Sequence, residues 1–164
     1  MNATHSHAVS LRQRWLALLG LVTLSFSATL MGALFGPDEW YEALNKPPWN
    51  PPNWVFGPVW TALYTMMAVA AWLVWQAGGF ARQRRALTWF LTQLALNAMW
   101  TPLFFGLQRP GIALVEIVLL WGAIVMTALA FQQVSRVAAW LLMPYLAWVS
   151  FAAALNFSLW RLNS

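Results

Sequence analysis

Residues 36–64 read GPDEWYEALNKPPWNPPNWVFGPVWTALY, a link between two long apolar segments that holds three of the four acidic residues, Asp38, Glu39 and Glu42. Pro47, Pro48, Pro51, Pro52 and Pro58 each remove a backbone donor and fix φ, so most of this link is expected to be an ordered, non-helical connection. Asp38 to Leu44 is the exception. Pro37 precedes it, acidic residues fall in its first turn and a proline pair lies beyond it, which are the signals of a helical turn or two. With Trp40, Tyr41 and Trp49 in its span, the segment 36–53 reads as an extramembrane lid over whatever the apolar segments enclose.

Composition decides the solvent. A chain of 164 residues that is 61% hydrophobic and 8% charged, with a mean hydropathy of +0.59, lacks the polar surface of a soluble domain and belongs in a bilayer. The net charge of +5 does not signal nucleic acid, because the nine basic residues are scattered between apolar runs and form no patch interleaved with aromatics. The absence of cysteine excludes a disulfide frame, a zinc-thiolate site and a thiol nucleophile. The thirteen tryptophans exceed what an interfacial aromatic belt, which accounts for about half of them, requires. Those inside spans need another role.

Residues 1–14 are polar and read as a flexible tail. His5 and His7 form an H-x-H that is better read as solvated tail than as a metal site, since no third ligand is near. Arg12 and Arg14 ahead of an apolar run resemble the start of a signal peptide, but Leu16–Phe35 is twenty residues without a charge, long enough to span. Four further runs, Trp54–Ala77, Ala86–Leu107, Gly111–Phe131 and Val137–Trp160, have 21 to 24 residues each with at most one charge. The expected fold is therefore an all-α membrane protein: residues 1–164 as one bundle of five transmembrane helices, running up and down because the links after the first are short. Six basic residues (Arg12, Arg14, Arg82, Arg84, Arg85, Arg136) fall on the N-terminal side and three (Lys46, Arg109, Arg161) on the other, which predicts a cytoplasmic N-terminus and an external lid in a cell inner membrane. Ala28, Gly32 and Gly36, at four-residue spacing, fit either close packing within the bundle or the seam of a homodimer.

Three helices carry polar or aromatic groups on one face: Trp60 and Tyr64 on the second; Trp89, Gln93, Asn97 and Trp100 on the third; Tyr145, Trp148, Ala152 and Asn156 on the fifth. An amide in hydrocarbon needs partners, so Asn97 and Asn156 either bridge helices or line a cavity; their coincidence with indoles beneath an aromatic lid favours a pocket. Glu116, the one acid inside a span, lies roughly 8 Å from the start of its helix, close enough to snorkel to the interface. Pro102 and Pro144 are expected to kink their helices. No Ser–His–acid set, paired carboxylates, phosphate loop or HExxH is present, so the pattern is that of a binder for a flat, apolar, conjugated ligand, with no obligatory cofactor.

The segments DEWYEALNKPPWNPPNWVFGPVWTALY, LALNAMWTPLFFG and MPYLAWVSFAAALNFSLWRLN resemble the tryptophan-rich sensory protein family, bacterial relatives of the mitochondrial translocator protein (peripheral benzodiazepine receptor). The likeness runs from about Gly20 to Asn163, and W-x-P-P-x-W-V-F with N-x-x-W-T-P is its specific part. The resemblance implies a five-helix membrane bundle, often a homodimer, that binds porphyrins such as protoporphyrin or haem. In animal members it implies cholesterol and synthetic isoquinoline or benzodiazepine ligands. It assigns the pocket to Tyr41, Trp60, Asn97, Trp100, Trp148 and Ala152; the face deduced above adds Tyr64 and Tyr145. Leu155, Phe157 and Arg161 follow the animal cholesterol motif except that Phe replaces Tyr, which puts sterol binding in doubt. A receptor or sensor is the leading expectation; a porphyrin or lipid carrier and a protein that degrades porphyrin in light are the rivals. Transport is less well supported, since the spans lack coupling-ion acids and inverted repeats.

Overall fold

The computed structural model describes residues 10–164, and the expected His5/His7 pair lies outside them. The chain is an all-α, multi-pass membrane protein. Four helical stretches, Leu11–Leu34, Asn53–Gln76, Pro110–Gln132 and Arg136–Leu162, are long and apolar enough to cross a bilayer. The helix between the second and third of them carries Thr88, Thr92, Gln93 and Asn97 and is not clearly apolar.

α1 (Leu11–Ser27) begins inside the segment expected to be tail. Ser10 and Gln13 form a reciprocal capping box, so Leu11 to Arg14 make its first turn. α2 (Thr29–Leu34) follows after Ala28, whose backbone stays helical (φ −62°, ψ −24°), so the expected first span is one stretch, Leu11–Leu34. Ser27 Oγ donates to the Leu24 carbonyl and Thr29 Oγ1 to the Phe26 carbonyl, each at 2.6 Å, a local competition with the helical ladder that bends helices. α3 (Glu39–Ala43) is the short helix anticipated after Pro37, capped by Asp38 Oδ1 accepting from the Tyr41 N–H at 3.1 Å. Extended chain and one 3₁₀ turn, Asn53–Val55, lead into α4 (Phe56–Gln76).

α5 (Gly79–Arg82) is a tight link, and α6 (Arg84–Thr101) returns towards the loop. At Pro102 the α ladder gives way to a π turn, Pro102–Gly106, closed by Leu107 N–H donating to the Pro102 carbonyl at 2.8 Å. α7 (Pro110–Gln132) runs back, and the last span is divided into α8 (Arg136–Leu141) and α9 (Met143–Leu162). Pro144 has no N–H to offer the carbonyl four residues earlier, which accounts for the division.

The helices close a ring in which α1 packs on α4, α4 on α8, α8 and α9 on α7, α7 on α6, and α6 on α2. Residue size explains its shape. Away from the loop, Ala68, Ala70 and Ala71 of α4 and Ala138 and Ala139 of α8 are buried and let the helix backbones approach. Towards the loop α4 carries Trp60 and α9 carries Trp148, larger side chains that pack against the core and line the space between the helices. The space between α4, α6 and α9 therefore opens towards the loop.

Candidate functional site

The loop end of the bundle encloses a cavity of about 490 Å³, within the range of about 300–1,000 Å³ usual for small-molecule sites. Three indoles, Trp60 from α4, Trp100 from α6 and Trp148 from α9, wall it. They are held by other rings: Trp60 stacks on Tyr64 (5.3 Å between centroids), Trp100 on Phe104 (4.8 Å), and Trp148 meets Phe56 edge-on (5.8 Å). Two amides fix the framework. Asn156, 1% exposed, accepts from Trp100 Nε1 at 3.1 Å and donates to the Pro110 carbonyl at 2.8 Å, joining α9, α6 and α7. Asn97 Oδ1 accepts from the Tyr64 hydroxyl at 2.7 Å, and its side chain also meets the Tyr145 hydroxyl behind the cavity wall.

The loop forms the roof through Tyr41, whose ring packs edge-on against Phe105 and Phe104 and lies beneath the Lys46 ammonium (4.7 Å). Burial pushes the Tyr41 hydroxyl above its ordinary value; a hydrogen bond to Asn50 (3.4 Å) works against the shift and the nearby Glu42 adds to it. Tyr41 is accordingly a neutral hydroxyl at any physiological pH. Asn163 grips the loop from the end of α9, accepting from the Asn45 N–H at 2.9 Å and donating to its carbonyl at 3.1 Å. Gln108 reaches Asp38 (3.4 Å) from the α6–α7 link.

The expected face and the cavity coincide at Tyr41, Trp60, Tyr64, Asn97, Trp100, Trp148 and Ala152, all of which line it. Tyr145 does not. It is 0% exposed and stands behind Trp60, edge-on at 6.2 Å, because it lies on the right face of the last helix but roughly 4.5 Å deeper than Trp148, where the bundle has already closed. Trp40 and Trp49, expected over the cavity, instead pack outside it on Phe104 and Phe151. Glu116 does not snorkel: it is 6% exposed on the inward face of α7, and neither carboxyl oxygen has a partner among the described residues. Of the stripe on the first span, Ala28, Gly32 and Gly36 all line the cavity, Ala28 also packing into the core, and a Cβ at Gly32 would meet no atom within 4 Å. In the sterol-type pattern, Leu155 lines the cavity whereas Phe157 and Arg161 are exposed. Phe104 and Phe105 are the site residues that helical periodicity passes over; the π turn swings both inward, and Pro102 was the available signal.

The model of the TspO/MBR family matches residues 17–161. The chain belongs to that family. The bovine (Bos taurus) translocator protein is 42% identical over 154 residues, covering 91% of each chain. The tryptophan-rich sensory protein of Cereibacter sphaeroides is 43% identical over 149 residues, or 91% of this chain and 92% of its own. The tryptophan-rich protein TspO of Chlorobaculum tepidum is 45% identical over 152 residues, with 90% and 96% covered. Membership in the TspO/MBR family therefore extends over both the loop and the helices that wall the cavity, and no group of three metal-ligating side chains gathers among the described residues.

Proposed function

We propose that this TspO/MBR protein is a membrane receptor that takes a porphyrin, such as protoporphyrin or haem, into the cavity beneath its first loop. The observation that carries the reading is the wall of three indoles around about 490 Å³, since a flat conjugated ring gains both apolar burial and ring contact there. The relatives' names, translocator protein and tryptophan-rich sensory protein, support a receptor or carrier over an enzyme. Native mass spectrometry of detergent-extracted protein tests the ligand class. A retained tetrapyrrole supports the reading, and retention of lipid alone would favour a lipid carrier.

In this reading α6 with its π turn is a fifth span, because it lies in the ring between α2 and α7 and is helical from Arg84 to Gly106. The N-terminus is cytoplasmic, on the six-to-three basic bias. In this chain without cysteine, Asn45→Cys should react with an impermeant thiol reagent on intact cells and Ala81→Cys should not; the reverse pattern would invert the topology. Ala81 is the better probe than Gly79, whose φ of +67° disfavours a side chain. The protein is taken to be a homodimer, as in the family resemblance, which cross-linking in native membranes tests.

The loop acts as a lid in this reading, supported by Tyr41 in the roof and by the Asn45–Asn163 clamp. Asn163→Ala should speed proteolysis between Asp38 and Trp54 by about five-fold in free protein, as expected for roughly 1 kcal/mol of lost local hydrogen bonding. Saturating ligand should slow the cutting. Equal rates with and without ligand would make the segment a linker.

A further inference from the structure

A second cavity, of about 430 Å³, lies at the opposite end of the bundle in the angle between α7 and α8. Its origin is local. α8 ends after Leu141, where Pro144 interrupts the ladder, and the slot lies between this junction and α7. Ala128, Leu129, Ala139 and Met143 give the slot apolar walls, while Gln132, Arg136 and Trp140 stand around it. Trp140 is 73% exposed, and its indole N–H has no partner among the described residues.

Arg136 has no acidic partner at this end. Asp38, Glu39 and Glu42 belong to the loop at the far end, and Glu116 lies near the loop-side start of α7. Arg12, Arg14, Arg82, Arg84 and Arg85 share the Arg136 end, so the field there is positive and uncompensated by the protein itself. We infer that the slot between α7 and α8 binds an anionic phospholipid, whose phosphate meets Arg136, Gln132 and the Trp140 N–H while one acyl chain fills the apolar slot. A guanidinium and two neutral donors suit phosphate oxygens. A zwitterionic headgroup would add a cation to a surface with five further arginines, and a free phosphate would leave the slot unfilled. Val137, Leu129 and Trp140 are exposed around the mouth, which opens to the lipid-facing surface rather than to a partner element of the chain.

The test uses intact protein in nanodiscs made of equal parts palmitoyl-oleoyl phosphatidylglycerol and palmitoyl-oleoyl phosphatidylcholine, released for native mass spectrometry. A single phosphatidylglycerol should stay bound at collision energies that strip phosphatidylcholine. Arg136→Gln should lower its retained fraction about five-fold, the loss expected for one surface cation to anionic-lipid contact. Leu129→Trp, which fills the slot and keeps every charge, should lower it as well, with thermal unfolding checking that the fold is intact. Arg84→Gln combined with Arg85→Gln, which thins the surrounding field but leaves the slot's own cation, should lower it by less than Arg136→Gln alone. Equal retention of the two lipids, an equal loss in the Arg84/Arg85 variant, or displacement by inorganic phosphate would overturn the inference. So would loss of a dimer mass in place of the lipid adduct on Arg136→Gln, which would make the slot an interface between copies.

Discussion

Asn156→Leu is expected to lower the stability of the protein in detergent by about 2 kcal/mol and to weaken ligand binding in the same step. Leucine keeps the branched heavy-atom skeleton of asparagine, though its methyl groups are bulkier; what is lost is the polar bridge. Asn156 accepts from Trp100 Nε1 and donates to the Pro110 carbonyl, and it is 1% exposed, so water cannot take its place. Trp100 is also a wall of the cavity, and an indole whose N–H has lost its acceptor no longer has a reason to hold one rotamer. The effect should depend on that indole. In a Trp100→Phe background the N–H is absent from the start, and the cost of Asn156→Leu should fall by about 1 kcal/mol, the coupling a double-mutant cycle on denaturant unfolding would read. An identical cost in both backgrounds would mean that the amide supports α7 alone and leaves the cavity untouched.

That prediction rests on a residue whose face was legible in the sequence and whose partners were not. Helical spacing put Trp60 and Tyr64, Asn97 and Trp100, and Trp148, Ala152 and Asn156 on common faces, because a 3.6-residue repeat is a property of the chain alone. Depth is not. Tyr145 shares the face of Trp148 but lies where alanines have drawn α4 and α8 together, and only the ring of packed helices reveals where the cavity ends. Ladder defects are similarly hidden. Pro102 promised a kink, yet whether the chain answered with a bend or a π turn depended on closing Leu107 N–H on the Pro102 carbonyl, and that choice turned Phe104 and Phe105 inward. Ser27 and Thr29 share the Leu24 and Phe26 carbonyls with the first span's ladder, a local competition that helical periodicity does not show. Glu116 was close enough to the end of its span to reach water, but the direction of its Cβ, set by the face α7 turns to its neighbours, points inward.

The largest expected effect is on ligand binding. Protoporphyrin titrated in the dark should quench the fluorescence of the protein saturably, and combining Trp60→Ala, Trp100→Ala and Trp148→Ala should weaken binding by about 100-fold. Each ring contact contributes roughly 0.5–1.5 kcal/mol beyond burial, so three together amount to about 3 kcal/mol. The three indoles come from α4, α6 and α9 and pack on different neighbours, Tyr64, Phe104 and Phe56, so the contacts are separable and single substitutions should each take a share. Trp148→Phe divides receptor from photochemistry. It keeps a ring against Phe56 and Phe151 but removes the more easily oxidised indole, so affinity should fall by about 1 kcal/mol at most. If illumination changes the porphyrin spectrum in the unaltered protein and not in Trp148→Phe at matched occupancy, the indole takes part in chemistry. If light does nothing in either while binding stays saturable, only receptor and carrier survive. Quenching that persists undiminished in the triple variant would place the porphyrin elsewhere, for the cavity would then have lost its aromatic wall without losing its ligand.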